Sequence, residues 1–338
     1  MTEPSRVATV PTEGLWAIRP ELLPAIAAAM RANADTPPPT DGEAEAGPLA
    51  IRSGGGTSGV AVAVIPVAGV ITKRVSLFAL LFGGGGSTLG TLQKRLRAAV
   101  NDDQVGAIVL EVDSPGGSVD GVPELAAEIR AARSRKPIIA VANARAASAA
   151  YWLASQASEL FVSPSGAVGS VGVFVAHEDW SAFDERLGVT TTLVSAGKYK
   201  TEANPHEPLS DEARAAIQAD VDAYYGMFVA DVAKGRGVKA SAVRSGFGEG
   251  RMVLAADAVA AGMADAVGTV DDAVTRAARL AAGAGSPRRA DADLPAPEAG
   301  DVDTPTPEAA PAGPDPEAVF AAGWARDLIR DQEQDAAI

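Results

Sequence analysis

No cysteine occurs anywhere in the 338 residues. That removes disulfides, thiol nucleophiles and cysteine-ligated zinc, and it fits a cytoplasmic setting. Histidine is scarce as well: the chain has 2, His177 and His206, so any histidine-based chemistry has only these to draw on. Positive charge is in short supply. The 29 Lys and Arg against 43 Asp and Glu leave a net charge of -14. Binding phosphates needs a basic face, so nucleic acid is not expected as a main partner. Long apolar runs are missing too. The longest near the front, "VSLFALLF" at 75–82, falls well short of the roughly 20 residues that span a bilayer. The opening "MTEPSRVATVPTEGLWAIRP" has no basic stretch followed by an apolar one, so no secretory signal is expected.

What is present is a core-forming composition, 47% hydrophobic. Residues 1–32 read as an N-terminal helical segment, with "PELLPAIAAAMRA" amphipathic, and 33–59 as a Pro-, Gly- and acid-rich linker. From Val60 the pattern changes. "VAVAVIPVAGVIT", "VGAIVLEVDSPGG", "PIIAVAN", "ELFVSP" and "TTTLVSAG" read as strands. Between the first three lie helical stretches, "TLGTLQKRLRAAVND" and "PELAAEIRAARSR". Strands alternating with helices predict an α/β domain with a parallel sheet over 60–282. Residues 210–235 form the longest predicted helix, with Ile217, Val221, Tyr224, Phe228 and Val232 as its buried stripe. Further on, "LAADAVAAGMADAVGT" predicts a helix stopped at Gly262, and "VDDAVTRAARLAA" a last core helix. Residues 283–318 carry Pro, Ala and acid at every turn and are expected to be disordered. Residues 319–338 regain helical periodicity and suit a docking segment.

Three stretches could carry chemistry. "DSPGG" at 113–117 ends an apolar strand in a tight turn whose glycine N–H groups could meet developing negative charge. In "NARAASAAYWLAS", Ser148 falls near a predicted helix N-terminus, where free N–H groups and the helix dipole favour an anion. A nucleophilic serine also needs a base. His177 and His206 sit among acids and loop signals, which leaves a histidine triad possible but unmarked. A lysine made neutral by burial is the other route. Lys198 and Lys200 fall together in "SAGKYKTEANP", just after a predicted strand end.

In this order, "DSPGG", "ARAASAAYWLAS", "GAVGSVGV", "SAGKYK" and "AAGMADAVGT" resemble the signal peptide peptidase A / protease IV family of serine peptidases, its phage-borne head maturation members above all. The opening "GLWAIRPELLPAI" resembles those members too. The resemblance implies a Clp protease/crotonase-like fold of repeated ββα units and a Ser-Lys dyad without metal or cofactor. It makes Ser148 the nucleophile, Lys200 rather than Lys198 the base, and Ser170 the residue that orients the lysine. It assigns the oxyanion hole to Gly116 or Gly117 with the N–H of Ala149, and substrate contacts to Ser114, Pro115 and Tyr151. Peptide or protein substrates follow, scaffold or capsid proteins in a phage setting, acting in the host cytoplasm or the procapsid. It also implies a homo-oligomer whose sites are completed by neighbouring subunits, with "VSLFALLF" at an inner rim. A signal-peptide-degrading role and a crotonase-type acyl-CoA enzyme are the alternatives. One departure stands out: Ala149-Ala150 occupy positions where the family usually has glycines, which narrows the approach to the hydroxyl.

Overall fold

A computed structural model describes residues 16–18, 50–53, 60–73 and 87–283. The chain divides into two units, 1–286 and 287–338, and every described residue belongs to the first. The predicted helix at 20–32, the "VSLFALLF" loop and the C-terminal linker and helix lie outside the described residues; of the segment 1–32 read as helical, only 16–18 are described, and they form a strand.

The strands are β1 (Trp16–Ile18), β2 (Ala50–Ser53), β3 (Ala61–Ala68), β4 (Ile71–Thr72), β5 (Ser87–Thr88), β6 (Val105–Ser114), β7 (Gly116–Ser118), β8 (Ile138–Ala147), β9 (Glu159–Val162), β10 (Ala167–Gly169), β11 (Met252–Leu254) and β12 (Ala266–Val267). The helices are α1 (Leu89–Asn101), α2 (Val122–Ala132), α3 (Ala149–Ala154), α4 (Ser181–Leu187), α5 (Asp211–Arg236), α6 (Ala240–Gly246), α7 (Ala255–Ala260) and α8 (Val270–Ala281). The main sheet runs β11-β10-β8-β6-β3-β2, with β9 also on β8 and β12 on β9. It is parallel except at its two antiparallel edges, β2 and β11. A second, small sheet runs β1-β7-β4-β5.

Why these segments are strands follows from burial on both faces. Sheets covered on both sides use near-continuous β-branched and aliphatic runs. Along β3, β6 and β8, Ala63, Ile65, Ile108, Leu110, Ile138 and Ala140 face one helix layer, α1, α2, α3 and the C-terminal half of α5. The intervening Val62, Val64, Val109, Ile139 and Val141 face α8. The period of two that defines a strand thus feeds two cores at once. Helix α8 is anchored at its start by a capping box in which Thr269 and Asp272 exchange hydrogen bonds.

Three expectations need correction. Residues 50–53, placed in the linker, form the edge strand β2 against β3. "TTTLV" is not a strand: residues 190–194 have no regular structure and are exposed, Val194 by 95%. Strand composition alone cannot make a strand, because its N–H and C=O groups need a neighbouring backbone. The stripe on α5 is buried only at Phe228 and Val232, while Ile217 and Val221 remain part-exposed because the N-terminal half of the helix extends past the sheet's helix layer.

Gly235 sets how close α5 approaches α3. A Cβ there would lie 2.3 Å from the Ser155 carbonyl oxygen. Replacing a glycine within a helix by alanine normally gains up to about 1 kcal/mol. Here overpacking against backbone, worth about 1–3 kcal/mol, wins. Gly235→Ala is therefore expected to lower the melting temperature; a higher one would refute this contact.

Candidate functional site

The site begins with strand register. Ala147 at the end of β8 is paired with Gly169 at the end of β10. The next residue on each strand is a serine, so Ser148 and Ser170 leave the sheet side by side at the carboxyl ends of adjacent parallel strands. In open α/β sheets, ligands bind at those ends. The register is locked by backbone bonds: the Ser148 N–H donates to Gly169 O at 2.8 Å, and the Ser170 N–H to Arg251 O at 2.8 Å.

Both serines have a positive φ, 54° at Ser148 and 53° at Ser170. Such a backbone is costly for a residue with a Cβ, roughly 1–3 kcal/mol, and clusters where function over-determines it. At Ser148, with ψ -119°, the chain turns sharply from β8 into α3, and the hydroxyl makes no capping bond to that helix. The ordinary explanation of a serine before a helix, N-capping, is therefore excluded. A sharp, strained strand-to-helix turn is also how α/β hydrolases present a nucleophilic serine.

A bulge in β8 precedes the turn. β6 advances two residues from Val112 to Ser114 while β8 advances four, from Ala142 to Ala146. The extra length contains Ala144, with φ 91°. The Ala144 N–H donates to Ser163 Oγ at 3.2 Å, and Asn143 Nδ2 donates to Glu111 Oε1 at 2.9 Å. Bulges of this kind re-aim a strand end.

The "DSPGG" turn packs beside it. Gly116 has φ 100°. Its N–H donates to Ser114 Oγ at 3.1 Å, and Ser114 Oγ donates to Gly69 O at 2.6 Å. Gly117 is paired with Ala17 and Ile71 on either side, and a Cβ there would fall 1.8 Å from Ile71 O. These glycines shape the junction between the two sheets, and the Gly116 N–H is already engaged. The N–H of Ala149 is different. It belongs to the first turn of α3, where the first N–H groups have no acceptor within the helix. Of the expected oxyanion donors, the Gly116 N–H is thus committed to Ser114, while the Ala149 N–H has no acceptor within its helix.

The expected substrate contacts are all buried. Ser114 is committed as above, Pro115 is enclosed, and Tyr151 is fully buried with its hydroxyl donating to Met263 O at 2.9 Å. Burial also pushes the Tyr151 phenol well above its ordinary range. The sequence could not distinguish an aromatic beside a nucleophile from one beneath it.

The two lysines separate clearly. Lys198 Nζ donates to Tyr199 Oη at 2.6 Å and to Glu212 Oε1 at 3.1 Å, and Tyr199 Oη donates to the same carboxylate oxygen at 3.0 Å. The Tyr199 hydroxyl, then Glu212, hold the Lys198 ammonium above the usual lysine range. Lys200 has no such partners among the described residues, and its side chain is exposed. No hydrogen bond joins it to Ser148 or Ser170. Glu212 ties the lysine loop to the first turn of α5, whereas α5 contacts α3 near Asp231. The intervening helix is about 28 Å long at roughly 1.5 Å per residue.

Neither histidine hydrogen-bonds Ser148. His206 Nδ1 pairs with Asp184 Oδ2 at 2.7 Å. His177 lines a cavity of about 740 Å³ with Val173, Arg214, Ile217 and Val221. Its Nε2 is buried without a partner.

The chain is similar to several known proteins. Residues 130–283 match the model of peptidase family S49. Capsid assembly protease C of Escherichia phage lambda is 35% identical over 214 residues, 63% of this chain and 48% of that protein. The head-tail preconnector protein GP5 of Enterobacteria phage P21 is 32% identical over 214 residues, 63% of this chain and 42% of that protein. A putative signal peptide peptidase SppA of Enterococcus faecium is 32% identical over 183 residues, 53% of this chain and 52% of that protein. The chain thus spans about half the length of the curated relatives it matches. A strained serine at the carboxyl edge of a parallel-rich α/β sheet thus lies inside the stretch that matches this family model.

Strain at Ser148 makes a stability prediction. Ser148→Gly relieves the positive φ, whereas Ser148→Ala does not. The glycine variant is expected to be about 1 kcal/mol more stable than the alanine variant, roughly 2–4 °C in a thermal melt. Equal melting temperatures would show that the turn is not strained.

Proposed function

We propose that this chain is a serine endopeptidase in which Ser148 is the nucleophile and Lys200 the general base. The observation that carries the reading is the Ser148 turn, with φ 54° and ψ -119°, its uncommitted hydroxyl and the adjacent Ser170. Neutral Lys200 takes the Ser148 proton as Oγ attacks the scissile carbonyl, and the Ala149 N–H meets the developing oxyanion. The resulting ammonium protonates the leaving amine. Water then attacks the acyl-enzyme, the lysine again taking a proton, and Ser148 is released. Ser170, beside the nucleophile, orients the lysine. The engagement of Lys198 by Tyr199 and Glu212 favours Lys200 as base, since a lysine held in its charged form cannot accept a proton.

The lysine loop is anchored at the end of α5 remote from α3, and this favours a homo-oligomer in which Lys200 of one copy serves Ser148 of another. Phe183, Leu187, Val189, Leu193, Val194 and Tyr199 lie exposed along the same segment. Exposed apolar surface of this extent marks an interaction face. The α/β layout, with helices between parallel strands, supports a Clp protease/crotonase-like subunit. Two of the relatives are phage proteins, one titled a capsid assembly protease. That favours processing of scaffold or capsid proteins, in the host cytoplasm or procapsid, over degradation of signal peptides. No helix among the described residues is long and apolar enough to cross a membrane.

Labelling with a fluorophosphonate probe, followed by peptide hydrolysis, tests the assignment. Both signals are expected to vanish in Ser148→Ala and to fall at least about 100-fold in Lys200→Ala. Lys198→Ala is expected to keep most of both. The neutral lysine is the active form, so the rate should rise with pH to a plateau. A rise governed by a group near about 6.5 would assign the base to histidine instead.

A further inference from the structure

We infer that Tyr151 and Asp231 are positioning residues for the nucleophile, forming a two-sided clamp on α3; the inference rests on the reading of Ser148 given above. Helix α3 has 6 residues, and all are buried. A helix this short does not hold its own shape or direction in isolation. Hydrophobic burial alone is non-directional, and would let such a helix roll about its axis. Two directional ties prevent that. On one side Tyr151 Oη donates to Met263 O at 2.9 Å. On the other, Trp152 Nε1 donates to Asp231 Oδ2 at 3.0 Å, while the indole stacks on Phe228 at 4.4 Å between centroids.

Asp231 is itself fixed. Its Oδ1 accepts from Arg130 Nη1 at 3.3 Å, and Gln156 Nε2 donates to the Asp231 and Trp152 carbonyl oxygens, both at 3.1 Å. The carboxylate is thus held between α2, α3 and α5 with both oxygens used. A buried carboxylate is an expensive way to join helices that apolar side chains could also pack. What it adds is direction. The roll of α3 decides where the Ala149 N–H points, and the same turn carries Ser148 Oγ. Both must converge on one carbonyl group.

The test uses the full chain with Tyr151→Phe, Asp231→Asn and Asp231→Ala. Hydrogen exchange across residues 143–155 is measured with the second-order rate of fluorophosphonate labelling, peptide kcat and KM, and a thermal melt. Clamping predicts faster exchange at 148–150 below the melting transition. It also predicts labelling and kcat lowered roughly 10- to 100-fold, the scale of a small misplacement of reacting groups. KM should stay within about two-fold. Asp231→Asn keeps an acceptor for the indole and should lose less than Asp231→Ala. A lowered melting temperature with exchange, labelling and kcat unchanged would reduce both residues to structural ones and overturn the clamp. If the Asp231 variants fail to fold, Tyr151→Phe, which removes a single hydroxyl, decides by the same readouts. Exchange does not depend on turnover. Faster exchange in a chain whose Ser148 is never labelled would support the clamp while rejecting Ser148 as the nucleophile.

Discussion

The pairing of Ala147 with Gly169 is the constraint from which the site follows. Parallel register puts the next residues, Ser148 and Ser170, at one edge of the sheet, and the Ser148 N–H bond to Gly169 O holds them there. A slip of one residue would move every side chain on the strand to the opposite face. Here it would also separate the two serines and send α3 off at a different angle. The two cores on either side of the sheet guard against that slip, because β8 alternates its side chains between them.

The backbone cost of the turn is carried by the rest of the molecule. Ser148 keeps a positive φ because β8 before it and α3 after it are both packed beyond easy movement. The buried ties from Tyr151 and Trp152 belong to the same economy of shape. They turn a run that looks like ordinary helix filler into a mount. In contrast, the segment from Phe183 to Tyr199 is exposed, irregular for much of its length and rich in uncovered apolar side chains. One chain therefore contains a buried serine edge and an exposed lysine-bearing segment.

Much of the fold was legible from residue patterns. Apolar β-branched runs separated by helical periodicity announced a parallel sheet, because burial on both faces leaves few other choices for such runs. "SAAYWLAS" read as helical, and α3 forms there. The misreadings have a common cause. "TTTLV" has strand chemistry but no partner backbone among the described residues, and 50–53 has linker-like surroundings yet finds β3. Pairing is a property of two segments, and one segment does not disclose it. Tyr151 was likewise legible as a neighbour of Ser148 but not as a buried anchor, since its partner carbonyl at Met263 is 112 residues away.

By itself the sequence determined the chemistry available: no thiol, two histidines in unremarkable settings, and one ordered set of small-residue motifs around Ser148 and the lysine pair. These are matters of composition and local spacing, which a chain carries before it folds. Only the tertiary structure decided that the Ser148 hydroxyl is left uncapped, that Lys198 is already engaged, and that the Gly116 N–H is already used. The Ser148 turn depends on its pairing with Gly169, Lys198 on the approach of Glu212, and the Gly116 N–H on a Ser114 hydroxyl held by Gly69 O. These arrangements exist only once the chain has folded.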